Sequence, residues 1–324
     1  MLIPYVTTQC HVEINPIIYH VTPRESMYAI ETKNLSFSYR NNPLLKGIDL
    51  LIPSGSIYGY LARNGAGKST TIKLMLGLLP SPKGTIFHNG LELSQHKREI
   101  LNRVGSLIES PAYYGNLTGY ENLLYLKNIY GCSRQNILDV LQKVNLLPDK
   151  DKKAKSYSTG MKQRLGIAMA LLNNPDILIL DEPLNGLDPE GVFEMRELIT
   201  DLKDEGKTIL LSSHILSEVQ KTCTHVGILQ DGQLRYQGLL SDLLNNVPLE
   251  VNIQSNHTYT IEQICQEDGI EVISVAGDRI SITINKSDHD GFMGRLATQG
   301  VTVLRSESVA KNLEEVYLNL IRQR

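Results

Sequence analysis

No stretch of this 324-residue chain approaches the roughly 18 consecutive apolar residues of a membrane-crossing helix, so the chain carries no such span of its own. Cysteine is scarce and scattered: Cys10, Cys132, Cys223 and Cys265 form no CxxC pair. That spacing excludes a disulfide framework and a cysteine zinc site, and reads as packing residues in a reducing compartment. A basic excess is missing too. With 32 Lys and Arg against 35 Asp and Glu, the formal net charge is −3, which argues against a nucleic-acid partner. The amino-terminal segment lacks the basic start and apolar core of a secretory signal. Residues 1–26 carry Pro4, Pro16 and Pro23 without a sustained period. Patterned sequence starts at Met27, so residues 1–26 are expected to be a poorly ordered extension or the product of a mis-set start codon. Internal repeats and low-complexity tracts are absent. What is present suffices for a packed interior. The chain is 41% hydrophobic, and its length suits one large domain with an appendage. A globular cytoplasmic protein is the resulting expectation.

From Ala29 onward short apolar runs alternate with turn residues. Ile48–Ile52 and Ser56–Leu61 read as strands, and Thr70–Leu79 as a helix stopped near Gly77 and Pro80. A mostly helical section follows, including Tyr120–Tyr130 and Asn136–Leu146. Ile177–Leu180 is apolar throughout and Thr208–Ser212 is apolar at its three central residues, which makes both candidates for parallel strands buried on both faces. Strands alternating with helices predict an α/β sheet. After about Leu240 the pattern changes to strand, helix, hairpin, helix, strand, the βαββαβ order of a ferredoxin-like α+β unit. A last helix carries Val309, Leu313, Val316, Tyr317 and Leu320 on one stripe.

Three motifs carry the chemistry. The first runs from Gly59 to Thr70, between a strand and a helix, with the sequence Asn64-Gly65-Ala66-Gly67-Lys68-Ser69-Thr70 at its core. A triphosphate needs many donors at close range, and glycines let backbone N–H groups approach it. The helix that starts here turns its positive end to the phosphates. Lys68 adds a charge at the β and γ oxygens, and the Ser69 hydroxyl can ligate Mg²⁺. The strict GxxxxGK[ST] pattern places Gly at position 62, where this chain has Ala62. The second motif is Ile177-Leu-Ile-Leu-Asp-Glu-Pro183. Two acids closing a buried apolar strand are costly unless they work at its carboxyl end. Asp181 can hold Mg²⁺ through water, and Glu182 can orient or deprotonate an attacking water. The third is Tyr157-Ser-Thr-Gly-Met-Lys-Gln-Arg164, just before a helix, with Asn185-Gly-Leu-Asp-Pro189 and Leu211-Ser-Ser-His214 behind it.

In order and spacing, from about Tyr39 to Gly238, this set resembles the ATP-binding cassette (ABC) family. The resemblance implies a P-loop NTPase (RecA-like) cassette over residues 27–240, with a helical subdomain at about 110–165. An accessory βαββαβ domain with a terminal helix would occupy 245–324. It also implies ATP and Mg²⁺ as cofactors and a second cassette, in a homodimer, meeting this one head to tail. Ser158 and Gly160 would then contact the γ-phosphate bound by the partner, although Tyr157, Thr159 and Met161 depart from LSGGQ. His214 would be the switch histidine, Asp188 would link the two sites, and Tyr39 would stack on adenine. Where most members have Gln after Val104–Ile108, this chain has Glu109, which still reaches Mg²⁺ or the attacking water but adds negative charge.

That glutamate and the altered signature look like the bacitracin-resistance and lantibiotic-immunity exporter group. The implied protein is the ATPase subunit of a bacterial exporter, held at the cytoplasmic face of the membrane by a separate permease that meets Ser110–Asn122. Two rivals stand beside it. One is a degenerate cassette that binds nucleotide without turnover and regulates a partner, favoured by Ala62 and Glu109 but opposed by Lys68, Asp181, Glu182 and His214. The other is a cassette acting on ribosomes or DNA, opposed by the single cassette and the acidic balance.

Overall fold

The computed structural model describes residues 27–245, 248–309 and 312–322; the amino-terminal extension expected at 1–26 lies outside them. Its centre is a six-stranded sheet in the order Gln233–Leu239, His225–Gln230, Ile57–Ala62, Thr208–Ser212, Ile177–Asp181, Val104–Leu107. All neighbours run parallel except the outer Gln233–Leu239. Ile177–Asp181 and Thr208–Ser212 are buried at every position, as strands covered on both faces must be. One face presents Ile57, Leu61, Leu178, Leu180, Ile209 and Leu211 to helices that include Thr159–Leu171 and Pro189–Asp204. The other presents Tyr58, Tyr60, Ile177, Ile179 and Leu210 to the helix Lys68–Met75 and a small antiparallel sheet.

The strand expected over Ile48–Ile52 is divided into Asn42–Ile48 and Leu51–Pro53, which belong to different sheets. The buried Thr32 hydroxyl explains the break. It donates to the Ile48 carbonyl at 2.7 Å and accepts from the Leu50 N–H at 2.9 Å, so a side chain replaces the ladder there. In the helical section, Gly119–Tyr130 and Arg134–Lys143 each start with a reciprocal capping box, built on Thr118 with Glu121 and on Ser133 with Asn136.

Residues 248–309 form a four-stranded antiparallel sheet in the order Glu271–Ala276, Arg279–Ile284, Leu249–Ser255, Val303–Val309. Helices Thr258–Asp268 and Lys286–Thr298 pack on one face, around Val251, Ile253, Ile261, Ile282, Phe292 and Leu296. This is the ferredoxin-like arrangement. The terminal helix Leu313–Arg322 does not join that core. Leu313, Val316 and Tyr317 are buried with Leu240 and Leu243 in the core of the cassette. The Leu313 N–H donates to Gln220 Oε1 at 2.7 Å, and Gln230 Nε2 donates to the Ile321 carbonyl at 3.0 Å. The small unit thus lies, along the chain, between two helices that both belong to the cassette. An apolar stripe marks a helix as amphipathic but not which core it covers.

Candidate functional site

The loop between Ile57–Ala62 and Lys68–Met75 is shaped by two glycines in the left-handed region, Gly65 at φ +80° and Gly67 at φ +108°. A Cβ on Gly67 would stand 2.6 Å from Leu45 Cδ2, so the loop has no room for a side chain there. Thr71 Oγ1 donates to the Gly67 carbonyl at 2.9 Å, fixing the start of the helix, and Tyr60 OH donates to Thr71 Oγ1 at 3.3 Å. No side chain caps this helix and no acid occupies its first turn, so its first N–H groups and their positive end remain available to an anion. Leu44, Arg63, Asn64, Gly65, Gly67, Lys68, Ser69 and Thr70 line a concavity of about 260 Å³ over it. Ala62, the departure from the motif, is the last residue of its strand with ordinary backbone, packed against the core. The left-handed turns of the loop begin beyond it, at Gly65.

Parallel register places Ser212 opposite Asp181 at the carboxyl ends of two central strands. Asp181 is 2% exposed, and Ser212 Oγ donates to its Oδ1. The same Ser212 hydroxyl accepts from the Glu182 N–H at 3.1 Å. Glu182 adopts φ +53°, a strained setting for a side-chain-bearing residue, which swings its carboxylate back toward the glycine loop. There Oε1 accepts from Lys68 Nζ. Oε2 accepts from the His214 N–H at 3.2 Å and lies 2.8 Å from His214 Nδ1. Burial alone would raise the Glu182 carboxyl, but the Lys68 hydrogen bond and charge, helped by His214, hold it below its ordinary value.

The structure brings Lys68, Glu182 and His214 into one contact, with Asp181 tied alongside through Ser212. It does not bring Glu109 into that contact. Glu109, at φ +59°, is ion-paired at 2.9 Å with Lys73 on the loop's own helix. Hydrogen bonding and the charge of Glu109 raise the Lys73 ammonium above its ordinary value. Tyr39 ends the strand Leu35–Tyr39, half exposed, with its ring edge-on to Phe37 at 4.9 Å.

Ser158 and Asp188 each cap a helix. Ser158 Oγ accepts from the Met161 N–H at 3.2 Å, and Asp188 Oδ1 from the Gly191 N–H at 2.8 Å. Together with Gly160, Gly186 and Leu187 they line a separate concavity of about 490 Å³, which shares no residue with the glycine-loop concavity. Sequence reasoning overlooked Ser212 and Lys73. A serine ending a buried strand carries no distinguishing pattern, and only the register with Asp181 makes it a partner of both acids. Lys73, five residues beyond Lys68 and so off its helical face, carries no signal in the sequence, and its pairing with Glu109 is tertiary. Also unforeseen, Arg196, on the helix capped by Asp188, pairs at 3.3 Å with Glu218 on the helix that follows His214.

Residues 45–185 match the ABC transporter family. The bacitracin transport ATP-binding protein BcrA of Bacillus licheniformis is 38% identical over 305 residues, 90% of this chain and 97% of that one. The lantibiotic transport ATP-binding protein SrtF of Streptococcus pyogenes is 43% identical over 223 residues, 67% of this chain and 96% of its own length. Among solved structures, an ATP-binding subunit of an ABC transporter superposes with a TM-score of 0.61 at 32% identity, covering 66% of this chain and 91% of that one. A glycine loop on a helix end, acids at the ends of parallel strands, a histidine on the second acid and these likenesses converge: the chain belongs to the ABC transporter family, as an ATP-binding subunit.

Proposed function

We propose that the chain hydrolyses ATP between two cassettes to power a separate membrane permease that exports a peptide antibiotic of the bacitracin or lantibiotic kind. The observation that carries the ATPase reading is the contact of Lys68, Glu182 and His214 at the carboxyl ends of the central strands. Lys68 and the helix N-terminus bind the phosphates. Ser69 and Asp181 supply the oxygen donors for Mg²⁺, a cation that takes few protein ligands and, when bound, neutralises charge on the β- and γ-phosphates. Glu182 holds the attacking water and accepts its proton, and His214 orients Glu182. A carboxyl held below its ordinary value is ionised, and so competent as a base, at neutral pH. Glu109, paired with Lys73, stands at the edge of this site, and Tyr39 offers its exposed ring to the adenine.

A composite site built from two chains is supported by Ser158, Gly160 and Asp188 lining a concavity that shares no residue with the one at the glycine loop. A head-to-tail homodimer brings each Ser158 helix end to the other chain's γ-phosphate. No helix among the described residues is long and apolar enough to cross a membrane, in keeping with peripheral attachment at the cytoplasmic face through the permease. The cargo reading rests on the relatives' names and on length. SrtF, matched over 96% of its length by 223 residues, has no room for a counterpart of residues 248–322, whereas the match to BcrA runs over 305 residues. The bacitracin side is thereby favoured.

The test is Glu182→Gln in the assembled complex. Turnover is expected to fall ~10²–10⁴-fold while ATP binding persists, and a host given resistance to bacitracin by the complex is expected to lose it. Undiminished hydrolysis removes Glu182 from the role. Intact resistance without hydrolysis removes the coupling.

A further inference from the structure

The C-terminal unit covers one face of its sheet with two helices and leaves the other open. Across the open face, antiparallel register sets Arg279 opposite Gln254, and Gln254 opposite Arg305. The next row sets Ser281 opposite Asn252, and Asn252 opposite Glu307. A cavity of about 400 Å³ lies over these rows, with Ser274 also on its wall.

Its lining is rich in donors. Among the described residues Arg279 has no ion pair, and Arg305 commits one amino group, Nη2, to Glu307. Ser281 Oγ donates to Asn252 Oδ1, which fixes the amide and leaves its Nδ2 donors to the cavity. Gln254 Nε2 is tied to Asp278 at 2.6 Å, anchoring the amide between the two arginines. Neighbouring strands lie ~4.8 Å apart, so the Arg279 and Arg305 backbones stand about 10 Å from each other on one row. Arginine side chains are long enough to reach a single anion above Gln254 from both sides. The lining itself holds two arginines and one glutamate, with Asp278 engaged by Gln254 just outside it, and a guanidinium fork matches phosphate or carboxylate oxygens in pairs.

We propose that this cavity binds a small, soluble, multiply charged oxyanion, a phosphate or polycarboxylate compound, held by Arg279 and Arg305 with Asn252 beneath. The site is distinct from the glycine loop and shares no residue with it. Glu307 weakens the site and sets its selectivity, since it repels a bare anion while occupying one fork of Arg305.

The full-length chain, saturated with MgADP so that the glycine loop is filled, is titrated calorimetrically with inorganic phosphate and with citrate. Flotation with phosphatidylglycerol vesicles runs in parallel. One saturable site is expected for at least one of the two anions, weakened about tenfold or more in Arg279→Ala/Arg305→Ala and strengthened in Glu307→Gln. Both arginines lie on the exposed face, so the thermal midpoint of the double variant should match the parent, and circular dichroism checks that it is folded. Affinity for phosphate and citrate unchanged in the double variant, absence of saturable binding by either anion, or attachment to vesicles alone overturns the proposal.

Discussion

Leu313→Ala tests where the terminal helix belongs. Leu313 is fully buried in the cassette core, beside Val316 at 2% exposure, while Leu318 on the outer side of the same helix is 37% exposed. Truncating a fully buried leucine costs ~2–5 kcal/mol, through lost transfer energy and the cavity left behind. For a unit of this size each kcal/mol lowers the midpoint by roughly 2–4 °C, so Leu313→Ala should lower the cassette transition by about 4–20 °C. Leu318→Ala, a largely solvated change, should move it by no more than about 2 °C. Differential scanning calorimetry reads the effect. MgATP identifies which transition is the cassette's, because a ligand of the native state raises only the transition of the unit that binds it. The reasoning fails if Leu313→Ala leaves the nucleotide-sensitive transition in place and lowers another. That result would return the helix to the small C-terminal unit.

A pH effect follows from His88. Burial holds its imidazole down at about 4 from an ordinary 6.5; Nε2 meets the Met75 carbonyl at 2.9 Å, and the buried Nδ1 has no partner. The unfolded chain takes up this proton below about pH 6.5 and the folded chain only near 4, so the contribution is whole above 6.5 and is lost as pH falls. The expected slope is about 1.4 kcal/mol per pH unit in that window. Urea midpoints from pH 7 to 4.5 check it, and His88→Gln, which keeps a donor for Met75, should flatten the slope. Gly67→Ala should lower ATP affinity by more than about tenfold and stability by ~1–3 kcal/mol, since the new Cβ meets Leu45 and the backbone stays left-handed. Gly55→Ala is the control: it has a similar positive φ but open space around it, and should cost ~1 kcal/mol without touching nucleotide binding. Nucleotide titrations separate the two.

Local chemistry made much of the cassette legible. The two runs Ile177–Leu180 and Thr208–Ser212, short and apolar at their centres, were candidates for doubly covered strands, and both lie at the centre of the parallel sheet. The glycine loop was legible because its physical requirement, backbone without Cβ at the end of a helix, is met by contiguous residues. The βαββαβ order likewise follows from neighbouring patterns and turn residues, and the sheet order agrees with it.

Other features depend on where distant segments meet. Glu182 became a partner of Lys68 and His214 only through parallel register and the left-handed turn at residue 182. Glu109, read as a ligand beside the phosphates, has Lys73 as its partner, and that choice was made by the packing of Val104–Leu107 relative to the loop helix. The division of Ile48–Ile52 hung on one buried hydroxyl from Thr32. Most consequential is the terminal helix, whose stripe announced a buried face without naming the surface it covers. Sequence by itself determined most of the elements, the glycine-loop and acid motifs, and the resemblance to the family. The tertiary structure alone decided which core receives the last helix and which cation holds each acid, because periodicity and propensity act within a segment whereas burial and pairing act between segments.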